Sequence, residues 1–264
     1  MGSVALVNAR VLAGESLRRD VAVLIDGGRI AALLPEPQAR AQAAETVDLE
    51  GGILLPGFID VQVNGGGGVL FNNAPTVEAL RTIVAGHRRF GSTGLLPTLI
   101  SDDADTMRAA VDAVRQAIAA GVPGVLGIHL EGPYIAPERK GTHNADTFRV
   151  PDAAEIEMAT ALDNGVTLIT LAPEQVPADT IRAMVGRGAI VFAGHTAGTY
   201  DQIRAGIEAG VSGFTHLYNA MSPLQGREPG AVGAALEADD CWCGVIVDGV
   251  HVHPASLRVA LKAK

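Results

Sequence analysis

The sequence predicts an α/β protein, a parallel (β/α) barrel that shows seven strands of its eight, led by a smaller β-rich unit. Three observations carry this. From Gly57 onward, apolar runs alternate with amphipathic helical stretches. The runs are hydrophobic along nearly their whole length, as strands covered on both faces are. The first 55 residues follow another rhythm, with short strands broken by glycine turns.

Taken in order, "VALVNARVL", "DVAVLID" and "RIAALLPE" read as strands, and "DGGR" as a hairpin turn whose glycines accept positive φ. The boundary between the two parts is placed at residues 55 and 56. Seven barrel strands follow: "FIDVQVNG", "TGLLPTLIS", "VLGIHLEGP", "VTLITLAPE", "AIVFAGHT", "GFTHLYNAM" and "WCGVIVDGV". Between them "TVEALRTIVAGHRRFG", "DADTMRAAVDAVRQAIAAG", "PADTIRAMVGRG" and "TYDQIRAGIEAG" have helical periodicity, several ending on the glycine that favours a helix stop. A full eightfold barrel needs around 250 residues, and about 210 follow the N-terminal strands, so the count is one strand short of closure.

The chain of 264 residues is 48% hydrophobic and 19% charged, with a net charge of −9. That balance supports a sizeable core and argues against nucleic acid and anionic membranes as partners, since both require a basic face. No apolar run approaches the ~18 residues of a membrane span, and the N-terminus lacks a secretory pattern, so a cytoplasmic protein is expected. Cys241 and Cys243 lie two apart, which on a strand puts both on one face, and they read as reduced packing residues.

Working residues of a barrel sit at the C-terminal ends of its strands. Those ends carry Gln62 and Asn64, then Glu131, His195 and His216, and finally Asp248 with His251. One carboxylate and two imidazoles from three strand ends match a catalytic zinc-type site, which keeps its fourth position open. A carboxylate closing the apolar strand "GIHLEGP" costs several kcal/mol unless it is paired or metal-bound. His129 shares a face with Glu131 and reads either as a supporting partner or as a packed core residue. His87 reads as a solvated helix residue.

The stretches "LLPGFIDVQVNGGGGVLFN", "LGIHLEGPYIAPERKGTHN", "FAGHTAGTYDQIRAGIEAGVSGFTHLYNAM", "SPLQGREPGAVGAAL" and "VIVDGVHVHP" go further. Through them the chain resembles the N-acetylglucosamine-6-phosphate deacetylases, a family of the amidohydrolase superfamily, over residues 50–255. "HLEGPY" and "THLYNAM" are the most specific elements of the match. The resemblance implies an amidohydrolase-type (β/α)8 TIM barrel lacking its last strand, and a small N-terminal β-sandwich, here incomplete. It implies hydrolysis of the acetamide of N-acetylglucosamine 6-phosphate by a metal-activated water, in amino-sugar catabolism. Glu131, His195 and His216 would hold one divalent ion, Zn2+ in the first place, with Fe2+ and Mn2+ as alternatives. His143 would polarise the substrate carbonyl, with Thr142 beside it. Asn219, the backbone N–H of Ala220, Arg227 and His251 would contact the substrate and its phosphate, and a homodimer is implied.

Two departures stand out. Gln62 and Asn64 occupy the positions where many amidohydrolases carry a His-x-His pair, so a mononuclear site is expected, with Gln62 orienting substrate. The family's general-base aspartate, at the end of an eighth strand, has no counterpart here; Asp248 ends the seventh. The expectation is therefore a C-terminally truncated deacetylase whose own turnover is strongly reduced. The competing readings are a related amidohydrolase on N-acetylgalactosamine 6-phosphate or a cyclic amide, and a non-catalytic ligand-binding fragment. His253 is expected to cap the helix that starts at Pro254.

Overall fold

The computed structural model describes residues 2–264, in two compact units that divide between Gly57 and Phe58. In the first unit, β1 (Val4–Val7), β4 (Ala22–Asp26), β5 (Arg29–Leu34) and β6 (Glu45–Asp48) form a sheet in the order β5-β4-β1-β6. A second sheet joins β2 (Arg10–Ala13), β3 (Ser16–Arg18) and β7 (Ile53–Leu54) in the order β3-β2-β7. The run expected as the single strand "VALVNARVL" is divided because Asn8 turns the chain at φ 54°. The β4–β5 hairpin turns through Gly27 and Gly28, at φ 56° and 77°. Ala5, Val7 and Ala22 are covered by Ala39 of helix α1 (Glu36–Gln42). The alternate residues Leu6, Val23 and Ile25 share a second core with Val11 and Leu54 of the other sheet.

The second unit is built on seven strands, all parallel and in sequence order: β8 (Phe58–Val63), β11 (Ser92–Ile100), β12 (Gly127–Glu131), β13 (Val166–Leu171), β14 (Ile190–Ala193), β15 (Val211–Phe214) and β16 (Trp242–Cys243). Each corresponds to one of the seven expected runs. A two-strand ribbon, β9 (Gly65–Gly66) with β10 (Val69–Leu70), follows β8. Helices α2 (Val77–Arg88), α3 (Ala104–Ala119), α5 (Ala178–Gly186) and α6 (Tyr200–Ala209) are the four read from periodicity. Caps explain where they begin. Thr76, Asp103 and Thr199 each accept a hydrogen bond from a backbone N–H in the first turn, and Thr199 with Gln202 makes a capping box.

Helices α4 (Ala153–Ala159), α7 (Gly230–Glu237) and α8 (Pro254–Ala263) complete the chain. Of these, α4 is too short to display a period. The sequence of α7, "GAVGAALE", is apolar or small almost throughout, so no polar face contrasts with it. His253 caps α8 as expected, its Nδ1 accepting the Ala255 N–H at 3.1 Å. Ile128 and Leu130 of β12 are fully buried in a core shared with Leu80, Ile83, Met107 and Val114 of the helices. The residues between and after them, His129 and Glu131, point the other way, into the barrel. This alternation delivers a carboxylate to the inner rim.

Candidate metal centre and active site

Glu131 is the last residue of β12, while His195 and His216 each lie two residues beyond the ends of β14 and β15. Both histidines leave their strands in the left-handed region, at φ 47° and 41°. Such a backbone costs of order 1 kcal/mol or more for a residue with a side chain, and it turns both rings inward. Glu131 Oε1 lies 3.2 Å from His195 Nε2 and 3.0 Å from His216 Nε2, and the two Nε2 atoms are 3.0 Å apart. All three side chains are buried.

The far sides of the rings decide what the near sides can do. His195 Nδ1 lies 2.7 Å from the carbonyl of Arg139, and His216 Nδ1 lies 3.1 Å from the carbonyl of Asn219. A carbonyl can only accept, so each Nδ1 carries a proton, and in the neutral ring each Nε2 presents a lone pair. Two imidazole lone pairs and a carboxylate oxygen thus converge on one point. With nothing between them they would repel, whereas a divalent cation satisfies all three at once. The donor set of Glu131, His195 and His216 fits a metal ion.

Gln62, near the end of β8, donates from Nε2 to Glu131 Oε1 at 2.8 Å. It thus orients the carboxylate, and with its amide nitrogen facing that oxygen it does not act as a ligand. His143 is buried too, and burial draws its pKa down to about 4, which keeps the ring neutral. Its Nε2 lies 4.0 Å from Glu131 Oε2, and its ring centroid 4.4 Å from that of His195.

His129 is resolved as a structural residue inside the barrel. Its Nδ1 faces the Val61 carbonyl at 2.8 Å and its Nε2 the Thr170 hydroxyl at 2.7 Å. Burial lowers its pKa to about 4. His87 corrects the reading of a solvated residue: it is half-buried, with Nε2 2.9 Å from the Gly65 carbonyl, tying α2 to the glycine-rich loop.

The structure therefore brings Glu131, His195, His216, His143 and Gln62 together. Thr142 is exposed next to His143. Asn219 is half-buried and touches the cluster through its carbonyl, while Ala220, at φ 49°, accepts the Thr196 N–H through its carbonyl. Arg227 lies exposed in the loop before α7. His251 is exposed as well, and its Nδ1 is 2.6 Å from Asp248 Oδ2. Asp248 is thereby engaged within its own loop. A cavity of about 520 Å³ runs along the inner strand faces past Gln62, His129, Thr215 and His216. Of the residues expected at the sugar or phosphate, only Gln62 lines it.

Sequence reasoning missed the backbone carbonyls of Arg139 and Asn219, and it missed Ser101, which touches His143. Ser101 directly follows β11, so the strand-end logic that found Glu131 also reaches it.

Comparison with known proteins agrees with this geometry. Residues 53–264 match the amidohydrolase family. The chain is 45% identical over 261 residues to an N-acetylgalactosamine-6-phosphate deacetylase of Shewanella sp. (strain ANA-3), covering 97% of this chain and 65% of that protein. It is 37% identical to the N-acetylglucosamine-6-phosphate deacetylase of Haemophilus influenzae, covering 98% of this chain and 68% of that one. Among solved structures, the N-acetylglucosamine-6-phosphate deacetylase of Pasteurella multocida superposes with a TM-score of 0.95 at 37% identity, over 99% of this chain and 69% of that one. A Mycobacterium smegmatis deacetylase in complex with N-acetyl-D-glucosamine-6-phosphate superposes with a TM-score of 0.90 at 36% identity, over 100% and 68%. The chain thus spans about two thirds of the length of these relatives.

Proposed function

The chain belongs to the amidohydrolase family, and from that premise we propose that its site is built to hydrolyse the acetamide of N-acetylglucosamine 6-phosphate, giving glucosamine 6-phosphate and acetate. The observation that carries this is the convergence of Glu131, His195 and His216 with His143 beside them. A divalent ion held there, zinc before iron or manganese, would polarise a carbonyl and make water more acidic. Gln62 steadies the Glu131 carboxylate, and His143, neutral and buried, donates toward the substrate carbonyl where negative charge develops. Thr142, Asn219, the Ala220 N–H, Arg227 and His251 are assigned to the sugar and its phosphate, for which guanidinium and imidazole donors are suited.

The reaction also needs a base to take a proton from water and return one to the departing amine. Among the described residues no aspartate touches the cluster, and Asp248 is held by His251. Acetate release by these 264 residues is therefore expected to run roughly 10²–10⁴-fold below that of a deacetylase with a positioned carboxylate base. The two-sheet unit at the N-terminus is assigned to the small β-sandwich of such enzymes, with the division near residue 55. A cytoplasmic homodimer completes the reading; no helix among the described residues is long and apolar enough to cross a membrane.

A second reading, N-acetylgalactosamine 6-phosphate as substrate, is favoured by the relative at 45% identity, which bears that name. Calorimetric titration of the zinc-loaded chain with both phosphorylated sugars and with free N-acetylglucosamine, beside an acetate assay, tests the assignment. Zinc-dependent binding that requires the phosphate is expected, and the tighter sugar identifies the epimer. Equal binding of the unphosphorylated sugar would remove Arg227 and His251 from the phosphate role. Absence of zinc-dependent binding to either phosphorylated sugar would overturn the proposal.

A further inference from the structure

Three histidines face one point at this site, yet the chain treats them in two ways. Behind His195 and His216 stand backbone carbonyls, which force Nδ1 to carry the proton. Behind His143 stands Ser101. Its backbone N–H points at His143 Nδ1 from 3.3 Å, and its hydroxyl oxygen lies 2.7 Å from the same atom. A backbone N–H can only donate, so His143 Nδ1 is the acceptor and carries no proton. The neutral ring must then hold its single proton on Nε2, the atom turned toward Glu131 and the cluster.

From this geometry we infer that Ser101 is a positioning residue, which locks His143 as an Nε2–H donor aimed into the site. Ser101 contacts the ring of His143 through its hydroxyl and its N–H. It acts by keeping one imidazole of the three a hydrogen-bond donor while the other two present lone pairs. The inference rests on the reading of the cluster as the place where a carbonyl is polarised.

The fold makes room for the arrangement. Ser101 is buried and directly follows β11, and it faces Gly132, which directly follows β12. A Cβ on Gly132 would run into Ser101 Oγ and lie 3.6 Å from His143 Nδ1. Gly132 also sits at φ 80°, a conformation that disfavours any side chain there. The niche that admits the serine hydroxyl thus depends on the absence of a side chain at Gly132.

The test uses the full chain labelled with 15N-histidine, in zinc-loaded and zinc-free form, and follows ring nitrogens by long-range 1H–15N correlation. In the native chain, His143 should show an unprotonated Nδ1 and a protonated Nε2 with or without zinc. In Ser101→Ala the lost hydroxyl should move the His143 Nδ1 resonance downfield, toward that of an imine nitrogen without a partner. Ser101→Thr, which keeps the hydroxyl, should restore the native position. Acetate release should fall roughly tenfold to a hundredfold in Ser101→Ala through kcat rather than KM, and recover in Ser101→Thr.

A protonated Nδ1 on His143 in the native chain would overturn the inference, and that measurement needs no variant to fold. So would a Ser101→Ala protein whose His143 resonances match the native ones. The ring-nitrogen signals require no turnover. A chain with the inferred tautomer that binds neither phosphorylated sugar would leave Ser101 in its role and remove the substrate.

Discussion

At the scale of single residues, the site is a matter of which atom holds which proton. Glu131, His195 and His216 were legible in the sequence because their positions at strand ends follow from the period of the strands around them. Their partners were not. The carbonyls of Arg139 and Asn219 belong to groups every residue possesses, so no pattern of letters announces them. Asp248 shows the same limit from another side. The resemblance made its neighbour His251 a phosphate contact, and the structure adds that the Asp248 carboxylate accepts the N–H groups of Val250 and His251 as well as facing the His251 ring. These bonds, first those from His251, draw its pKa from 3.8 down to about 2. A carboxyl lowered on folding stabilises the fold above its unfolded pKa. The loop should therefore keep its shape at neutral pH, weaken below about 4 and let go as pH falls through about 2. A carboxyl-carbon NMR titration checks this: a midpoint near 2 is expected, and one at the ordinary value would show the contacts absent in solution.

At the scale of elements, strands and helices were read correctly where contrast existed and missed where it did not. The four helices with a clear apolar stripe were found. The short α4 and the almost wholly apolar α7 lacked one, and so escaped. The sixth strand is shorter than its hydrophobic run suggests, because "THLYNAM" leaves the sheet through the left-handed residues His216, Tyr218 and Ala220. Packing between strands also depends on Gly127, the first residue of β12. A Cβ there would strike the Val166 carbonyl and come within 2.6 Å of the Val166 nitrogen on β13. Both are backbone atoms, so neither can rotate aside. Gly127→Ala should destabilise the second unit by about 1–3 kcal/mol or more, read as a lower denaturation midpoint in urea. Stability within about 0.5 kcal/mol of native would mean that β12 and β13 are less closely paired there.

At the scale of the whole chain, the order of the parallel sheet followed from the alternation of runs, since consecutive β–α–β units lay their strands side by side. Less legible was the character of its margins. The outer edges of β8 and β16 pair with no other strand among the described residues. On β8, Phe58 and Ile59 are 63% and 65% exposed, and Val61 is 39% exposed. An exposed, apolar edge strand is a template for another chain. Self-association that grows with protein concentration is expected, and Ile59→Lys should suppress it while leaving the circular dichroism spectrum unchanged. Sedimentation velocity over a concentration series decides the matter: a variant that associates as strongly as the native chain would clear β8 of that role.

The division between carbonyls behind two imidazoles and an amide behind the third has a consequence for anyone moving this chemistry elsewhere. A designer could copy Glu131, His143, His195 and His216 onto another barrel with every side-chain angle intact. Without the peptide planes at Ser101, Arg139 and Asn219, the transplanted rings would choose their own protons. The part worth transplanting is the course of the main chain behind the residues, which a list of side chains leaves out.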